Sequence, residues 1–227
     1  MTARSTQLGP GPDEEAAASS GRFGLLLIFL ICAYLLSAFA AGRWVTLVQV
    51  LLFNGTVLLA LRNLRVSGYP ARLAAVVVLV GSAVIITLLY TIRDGTGIAG
   101  IWTGLILLAA VVLIVQRVFT FATVTGQSIY AVLSAYLIVG LMFSAFFAAL
   151  GQLGSGSFFA DGQPANAQTL QYFSFTTLTT LGYGDFTAAG NVARAVAVLE
   201  ALTGQIFLAT LVARLVAQFR TPSERQR

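Results

Sequence analysis

Apolar residues in this chain come in long runs with few polar interruptions rather than in alternation with polar ones. Phe23–Ala41, Trp44–Leu61, Leu73–Ile92, Ile98–Val115, Ile129–Leu150 and Val192–Val216 are such runs, each about 18–25 residues, the length a helix needs to cross a hydrocarbon core. The pattern predicts an all-α membrane protein with six transmembrane helices. A further segment, Leu170–Thr179, mixes aromatic and polar residues and is too short to span. It is expected to be a re-entrant helix, which a membrane tolerates only where protein surrounds it. Gly151–Thr169, rich in Gly and Ser with Pro164, reads as an external loop, in which Phe158 and Phe159 either dip into the membrane interface or pack on the short helix. Residues 1–21 hold Gly, Pro, Ala and Ser with Asp13, Glu14 and Glu15, and are expected to be a disordered cytoplasmic tail.

Charge changes this picture by orienting it. Only 9% of the residues are charged and 58% are hydrophobic, where a soluble domain carries about 25% charged residues. The thirteen basic residues are all Arg. With the N-terminus inside, Arg4, Arg22, Arg62, Arg65, Arg72, Arg117, Arg214, Arg220, Arg225 and Arg227 fall on the cytoplasmic side, and Arg43, Arg93 and Arg194 outside. Ten against three is the positive-inside pattern. Both termini are therefore expected in the cytoplasm of a multi-pass plasma-membrane protein. No basic aromatic face exists outside the apolar runs, so a nucleic-acid partner is not expected. The chain lacks His, which removes imidazole metal sites and imidazole pH sensing. Cys32, alone in the first apolar run, makes no intrachain disulfide and reads as a small packing residue. Ala38-Phe39-Ala40 resembles a signal-peptidase site, but the run before it is longer than a signal core and its leader is acidic. The first span is expected to remain. No nucleotide loop, zinc spacing or catalytic triad is present, and no cofactor or enzyme activity is expected.

The chemistry lies in Thr179-Thr180-Leu181-Gly182-Tyr183-Gly184-Asp185, between the short helix and the last apolar run. A cation entering a narrow pore must lose its water, and backbone carbonyls replace that water if consecutive residues turn them toward one axis. An ordinary strand alternates its carbonyls. Gly182 and Gly184 can adopt positive φ without a Cβ penalty and so break that alternation. Thr180 adds a hydroxyl oxygen below the ladder. Tyr183 is expected to point away from the axis and brace against Tyr172 and Phe173, while Asp185 puts negative charge at the outer mouth. One copy per chain cannot surround an ion, so four chains are expected to assemble.

These residues resemble the selectivity filter of potassium channels, with Leu181 in a slot often held by Val or Ile. The resemblance covers residues 128–219. It implies that K+ is bound by Thr180, Leu181, Gly182 and Tyr183, with Gly184 completing the filter. It also implies that Tyr172, Phe173, Thr176, Thr177 and Thr179 belong to a pore helix whose C-terminal dipole end favours a cation. The family implied is the six-transmembrane bacterial type with a single pore loop. Gly204 resembles the gating-hinge glycine of the inner helices, and the alternative is a small residue that permits close packing behind the filter. Thr210 and Ala213 would line the inner vestibule. Glu200, the acid inside a span, either braces the filter through Thr176, Thr177 or another pore-helix group, or faces the cavity and attracts cations.

Residues 22–127 occupy the place of a voltage-sensor bundle but lack its charges. Steep voltage gating needs several basic residues in the fourth span, because one charge across 100 mV is worth about 2.3 kcal/mol. Ile98–Val115 contains none, so little intrinsic voltage sensing is expected. Gly100-x-x-x-Gly104 reads either as a close helix contact or as incidental small residues. Gln49 and Asn54 read as bundle hydrogen-bonding groups or as part of a lipid or ligand site. Arg93-Asp94 reads as an external turn, and Arg117–Ser128 as an interfacial linker helix. Residues 220–227 are expected to form a short cytoplasmic tail, and no soluble regulatory domain is expected in the chain. The sequence thus points to a homotetrameric potassium-selective channel in the lipid bilayer. A weakly selective cation channel and a non-conducting membrane scaffold subunit are the alternatives. A transporter would normally show repeated broken spans, and this chain has one re-entrant segment.

Overall fold

A computed structural model describes residues 12–40, 43–63, 69–91, 95–120 and 126–219. Among the described residues seven helices follow one another: α1 (Pro12–Phe39), α2 (Arg43–Asn63), α3 (Tyr69–Thr91), α4 (Gly95–Thr120), α5 (Gly126–Leu153), α6 (Ala167–Leu178) and α7 (Asn191–Phe219). No strand occurs among the described residues, only an isolated antiparallel bridge between Phe159 and Ala188. Among the described residues three helices contain stretches long and apolar enough to cross a membrane: Gly97–Gln116, Gly126–Leu153 and Asn191–Ala213. Phe23–Phe39, Leu47–Leu61 and Arg72–Thr87 are shorter apolar stretches. The protein is an all-α, multi-pass membrane protein.

Several boundaries differ from the sequence reading. Helix α1 begins at Pro12, inside the stretch expected to be a disordered tail. Proline at a helix start gives up no hydrogen bond, and acidic residues such as Asp13, Glu14 and Glu15 suit a first turn. The middle of the linker helix expected over Arg117–Ser128, residues 121–125, lies outside the described residues. Helix α4 runs on to Thr120 and takes in its first part, and α5 starts at Gly126. Residues 1–11, the Arg93-Asp94 turn and the tail at 220–227 lie outside the described residues. Cys32, expected to pack, is exposed on α1.

Helix α5 is the hub. Helices α1, α4, α6 and α7 all pack on it, and its buried residues include Ile138, Val139, Gly140, Phe143 and Phe147. The α4 contact is close because α4 presents glycines to it. A Cβ on Gly100 would lie 2.7 Å from the Ala145 carbonyl oxygen, and one on Gly104 would lie 2.4 Å from the Phe146 ring. The close-contact reading of this glycine pair is the one the structure shows. In the front helices Asn54 is buried and accepts a hydrogen bond from Ser82 Oγ at 2.9 Å, tying α2 to α3.

Candidate functional site: the loop between α6 and α7

The site begins with a well-capped helix. Asn166 accepts a hydrogen bond from the Thr169 amide at 2.9 Å, and the Asn166 amide donates to Thr169 Oγ1 at 3.0 Å. This reciprocal box satisfies two donors that a helix start otherwise leaves unpaired. Thr169 Oγ1 also donates to Pro164 O at 2.7 Å, so the cap anchors the preceding loop. Phe158 and Phe159 from that loop are buried. They pack edge-on against Phe173 of α6, with centroids 5.9 and 5.7 Å away, and Phe159 meets Phe186 at 4.9 Å. Of the two readings left open for these residues, the structure shows the packing one. Ala160 N donates to Thr187 O at 2.8 Å and Ala189 N to Phe158 O at 2.9 Å, which joins this loop to the segment that returns to α7.

From the C-terminus of α6 the backbone takes an unusual course. Thr180, Gly182 and Gly184 have φ of 56°, 51° and 82°. Positive φ at every second residue opposes the alternation of an extended chain, which is what turning successive carbonyls toward one side requires. Gly182 and Gly184 accept this geometry freely. Thr180 does not: left-handed backbone costs a β-branched residue roughly 1–2 kcal/mol. Local bonds hold it there. Thr180 N donates to Thr177 O at 2.9 Å, Leu181 N to Thr176 O at 2.8 Å, and Thr180 Oγ1 to Thr179 O at 2.7 Å.

The outer end is held by side chains. Tyr183 and Tyr172 rings lie parallel, 7° apart in plane with centroids 6.4 Å apart. Tyr172 Oη donates to Asp185 Oδ2 at 2.9 Å, and the Phe186 amide donates to Asp185 Oδ1 at 3.1 Å. Gln163 Nε2 donates to the Asp185 carbonyl at 2.8 Å. Tyr172 therefore meets Tyr183 as expected, whereas Phe173 turns into the buried phenylalanine cluster. Thr176 and Thr179 spend their hydroxyls on their own helix, Thr176 on Tyr172 O and Phe173 O, and Thr179 on Phe175 O.

Behind this segment lie Glu200 and Gly204 of α7. Glu200 is fully buried and its Oε1 is hydrogen-bonded to Ser174 Oγ. Ser174 Oγ also lies 2.7 Å from Gly140 O, so the three groups link α5, α6 and α7. The α6 partner of Glu200 is thus Ser174 rather than Thr176 or Thr177. Gly204 is buried against the end of α6, where a Cβ would sit 2.1 Å from Leu178 O. Close packing accounts for glycine at this position. Ser174 and Gln205 went unmarked in the sequence. Both are ordinary polar letters inside a helix, and only the three-dimensional approach of α7 to α6 gives them partners.

Residues 131–221 match the family described as ion channel. This part of the chain is similar to ion-channel domains. Within it, the segment 179–185 is the first part of the loop that joins the short helix α6 to α7. The inward rectifier potassium channel Kirbac3.1 of Paramagnetospirillum magnetotacticum is 31% identical over 88 residues, which is 39% of this chain and 28% of that protein. The chain thus covers little more than a quarter of the length of that relative. No solved structure matches. The matched region begins within α5 and takes in α6 and α7, so helices α1–α4 lie outside it.

Proposed function

We propose that the protein is a homotetrameric, potassium-selective channel that conducts K+ passively through a filter formed by Thr180, Leu181, Gly182, Tyr183 and Gly184. The observation that carries this reading is positive φ at Thr180, Gly182 and Gly184 in turn, within a loop that a buried short helix presents. A geometry that aims carbonyls in one direction suits a dehydrated cation. No side chain in that loop is a nucleophile paired with a base, and the reading involves no enzyme activity.

Exposure supports assembly. The spanning stretch of α5 is 61% buried within the chain, that of α7 only 11%. Val198, Leu202 and Ile206 are exposed along α7, as are Leu181 and Tyr183 in the loop. Four copies around an axis cover these residues and supply the missing carbonyls. In this reading Asp185 marks the outer mouth, Thr210 and Ala213 line the inner vestibule, Glu200 braces the pore helix, and both termini lie in the cytoplasm.

Potassium flux into liposomes holding the purified protein tests the function. Flux of potassium with sodium excluded supports it. Comparable flux of both ions favours a weakly selective cation channel, and no flux of either favours a scaffold subunit.

A further inference from the structure

Gln205 follows the glycine that packs on α6, and its side chain reaches the inner end of the loop. Its Nε2 donates to Thr180 Oγ1 at 3.1 Å. The hydroxyl of Thr180 has one proton and two lone pairs. That proton goes to Thr179 O at 2.7 Å. The oxygen must then accept from the Gln205 amide, and one lone pair remains for an ion. The amide thus fixes both the rotation of the hydroxyl and the direction of its free lone pair.

The same turn of α7 is keyed to the end of α6 by two other contacts. Gly204 lies so close to Leu178 O that a Cβ there would be 2.1 Å away, and Tyr136 Oη of α5 donates to the same oxygen at 3.3 Å. Any tilt of α7 at Gly204 therefore carries Gln205 with it, and the Gln205–Thr180 bond must stretch or swing. Thr180 is also the residue held at a positive φ of 56° against its own preference. A bond made at a strained position is well placed to transmit motion, because its loss lets the backbone relax.

We propose that Gln205 is a positioning residue for the innermost ion site, and that it couples displacement of α7 to how tightly that site holds a dehydrated cation. This rests on the channel reading above. The amide touches the ligand rather than the ion, so its removal weakens the site without removing it.

The test uses the full chain in planar bilayers, with internal barium as the probe, a divalent ion close to potassium in size. Wild type, Gln205→Leu and Gln205→Asn are compared, with thermal melting of each tetramer as a control for folding. Leucine fills the space without a donor, and asparagine is one methylene too short to reach. Both are expected to weaken barium block by roughly three- to tenfold, the range set by one neutral hydrogen bond, while melting stays near wild type. Block of both variants equal to wild type overturns the proposal. If leucine prevents assembly, the asparagine variant alone decides in the same way. A wild-type protein that passes no potassium current overturns the channel reading instead, so the two failures are distinguishable.

Discussion

Helices α1–α4 and the segment α5–α7 are built from similar apolar letters, yet they spend their polar residues differently. Among the described residues of the front helices the polar contacts join helix to helix or stay within one helix, as with the bond from Ser82 of α3 to Asn54 of α2 and that from Thr56 Oγ1 to Leu52 O at 2.9 Å. Around the loop between α6 and α7, by contrast, side chains such as Gln163, Asn166, Thr169, Tyr172, Arg194 and Gln205 close a cap or hold loop backbone and loop side chains, while Thr176, Thr179 and Thr203 bond within their own helices. The contrast teaches where precision is needed. A bundle that fills volume needs shape, whereas a loop that replaces water must have its backbone fixed residue by residue. The two regions are nevertheless joined. Gln171 Nε2 donates to Tyr34 O at 3.1 Å, and Gln168 Nε2 donates to Ala40 O at 3.3 Å. The Tyr34 ring meets Phe175 edge-on at 4.9 Å. Helix α1 thus grips α6 from behind.

The largest effects should come from the loop itself. Gly182 sits at φ 51°, and Gly182→Ala places a methyl group where left-handed backbone costs about 1–2 kcal/mol per chain, in each of four chains. Selectivity for potassium over sodium should be lost, as measured by ion flux into liposomes. Retained selectivity would mean that this backbone geometry does not govern the site.

Gly204→Ala should come next. Its methyl group would lie 2.1 Å from a backbone oxygen of α6, which no side-chain rotation relieves. Overpacking of this kind costs about 1–3 kcal/mol, so a clear drop in melting temperature is expected. If melting is unchanged while open probability shifts, the hinge role outweighs the packing role.

Glu200→Gln keeps the shape and an acceptor for Ser174, and Glu200→Ala removes the link among α5, α6 and α7. Alanine should lower stability by about 1–3 kcal/mol through unpaired buried groups, and glutamine by less. Glutamine should alter the stability of the conducting state more than unitary conductance. A sharp fall in conductance with open time untouched would favour a cavity-facing acid.

The smallest effects test the front helices. Gln171→Ala removes one bond between α6 and α1, worth about 1 kcal/mol, and should shift melting slightly while potassium flux persists. Steps of membrane voltage should change open probability only shallowly, because Ile98–Val115 carries no charged residue. Steep opening with several charges moved per chain would contradict that expectation.

Much of the fold was legible because membrane spans are written in composition. An apolar run of spanning length has few structural alternatives in lipid. The short helix was legible from its length, and the positive φ at Gly182 and Gly184 from the residue type. Thr180 was not. A β-branched residue gives no warning of a left-handed backbone, which comes here from bonds to Thr177 and Thr179 and from Gln205. The partner of Glu200 was legible only as some group on the pore helix, because its identity depends on how α7 is rotated against α6. The Gly204 contact was open between two readings for the same reason. Helix ends were the least legible, since nothing in Arg117–Ser128 shows that α4 continues to Thr120.

The central claim is that four copies of residues 180–184 replace the hydration shell of a potassium ion. The reversal potential of the reconstituted wild-type protein, with potassium on one side of a bilayer and sodium on the other, tests it most directly. The account expects current that reverses only at a potential far from zero, on the side set by potassium. Reversal near zero, with both ions carrying current equally, would contradict it.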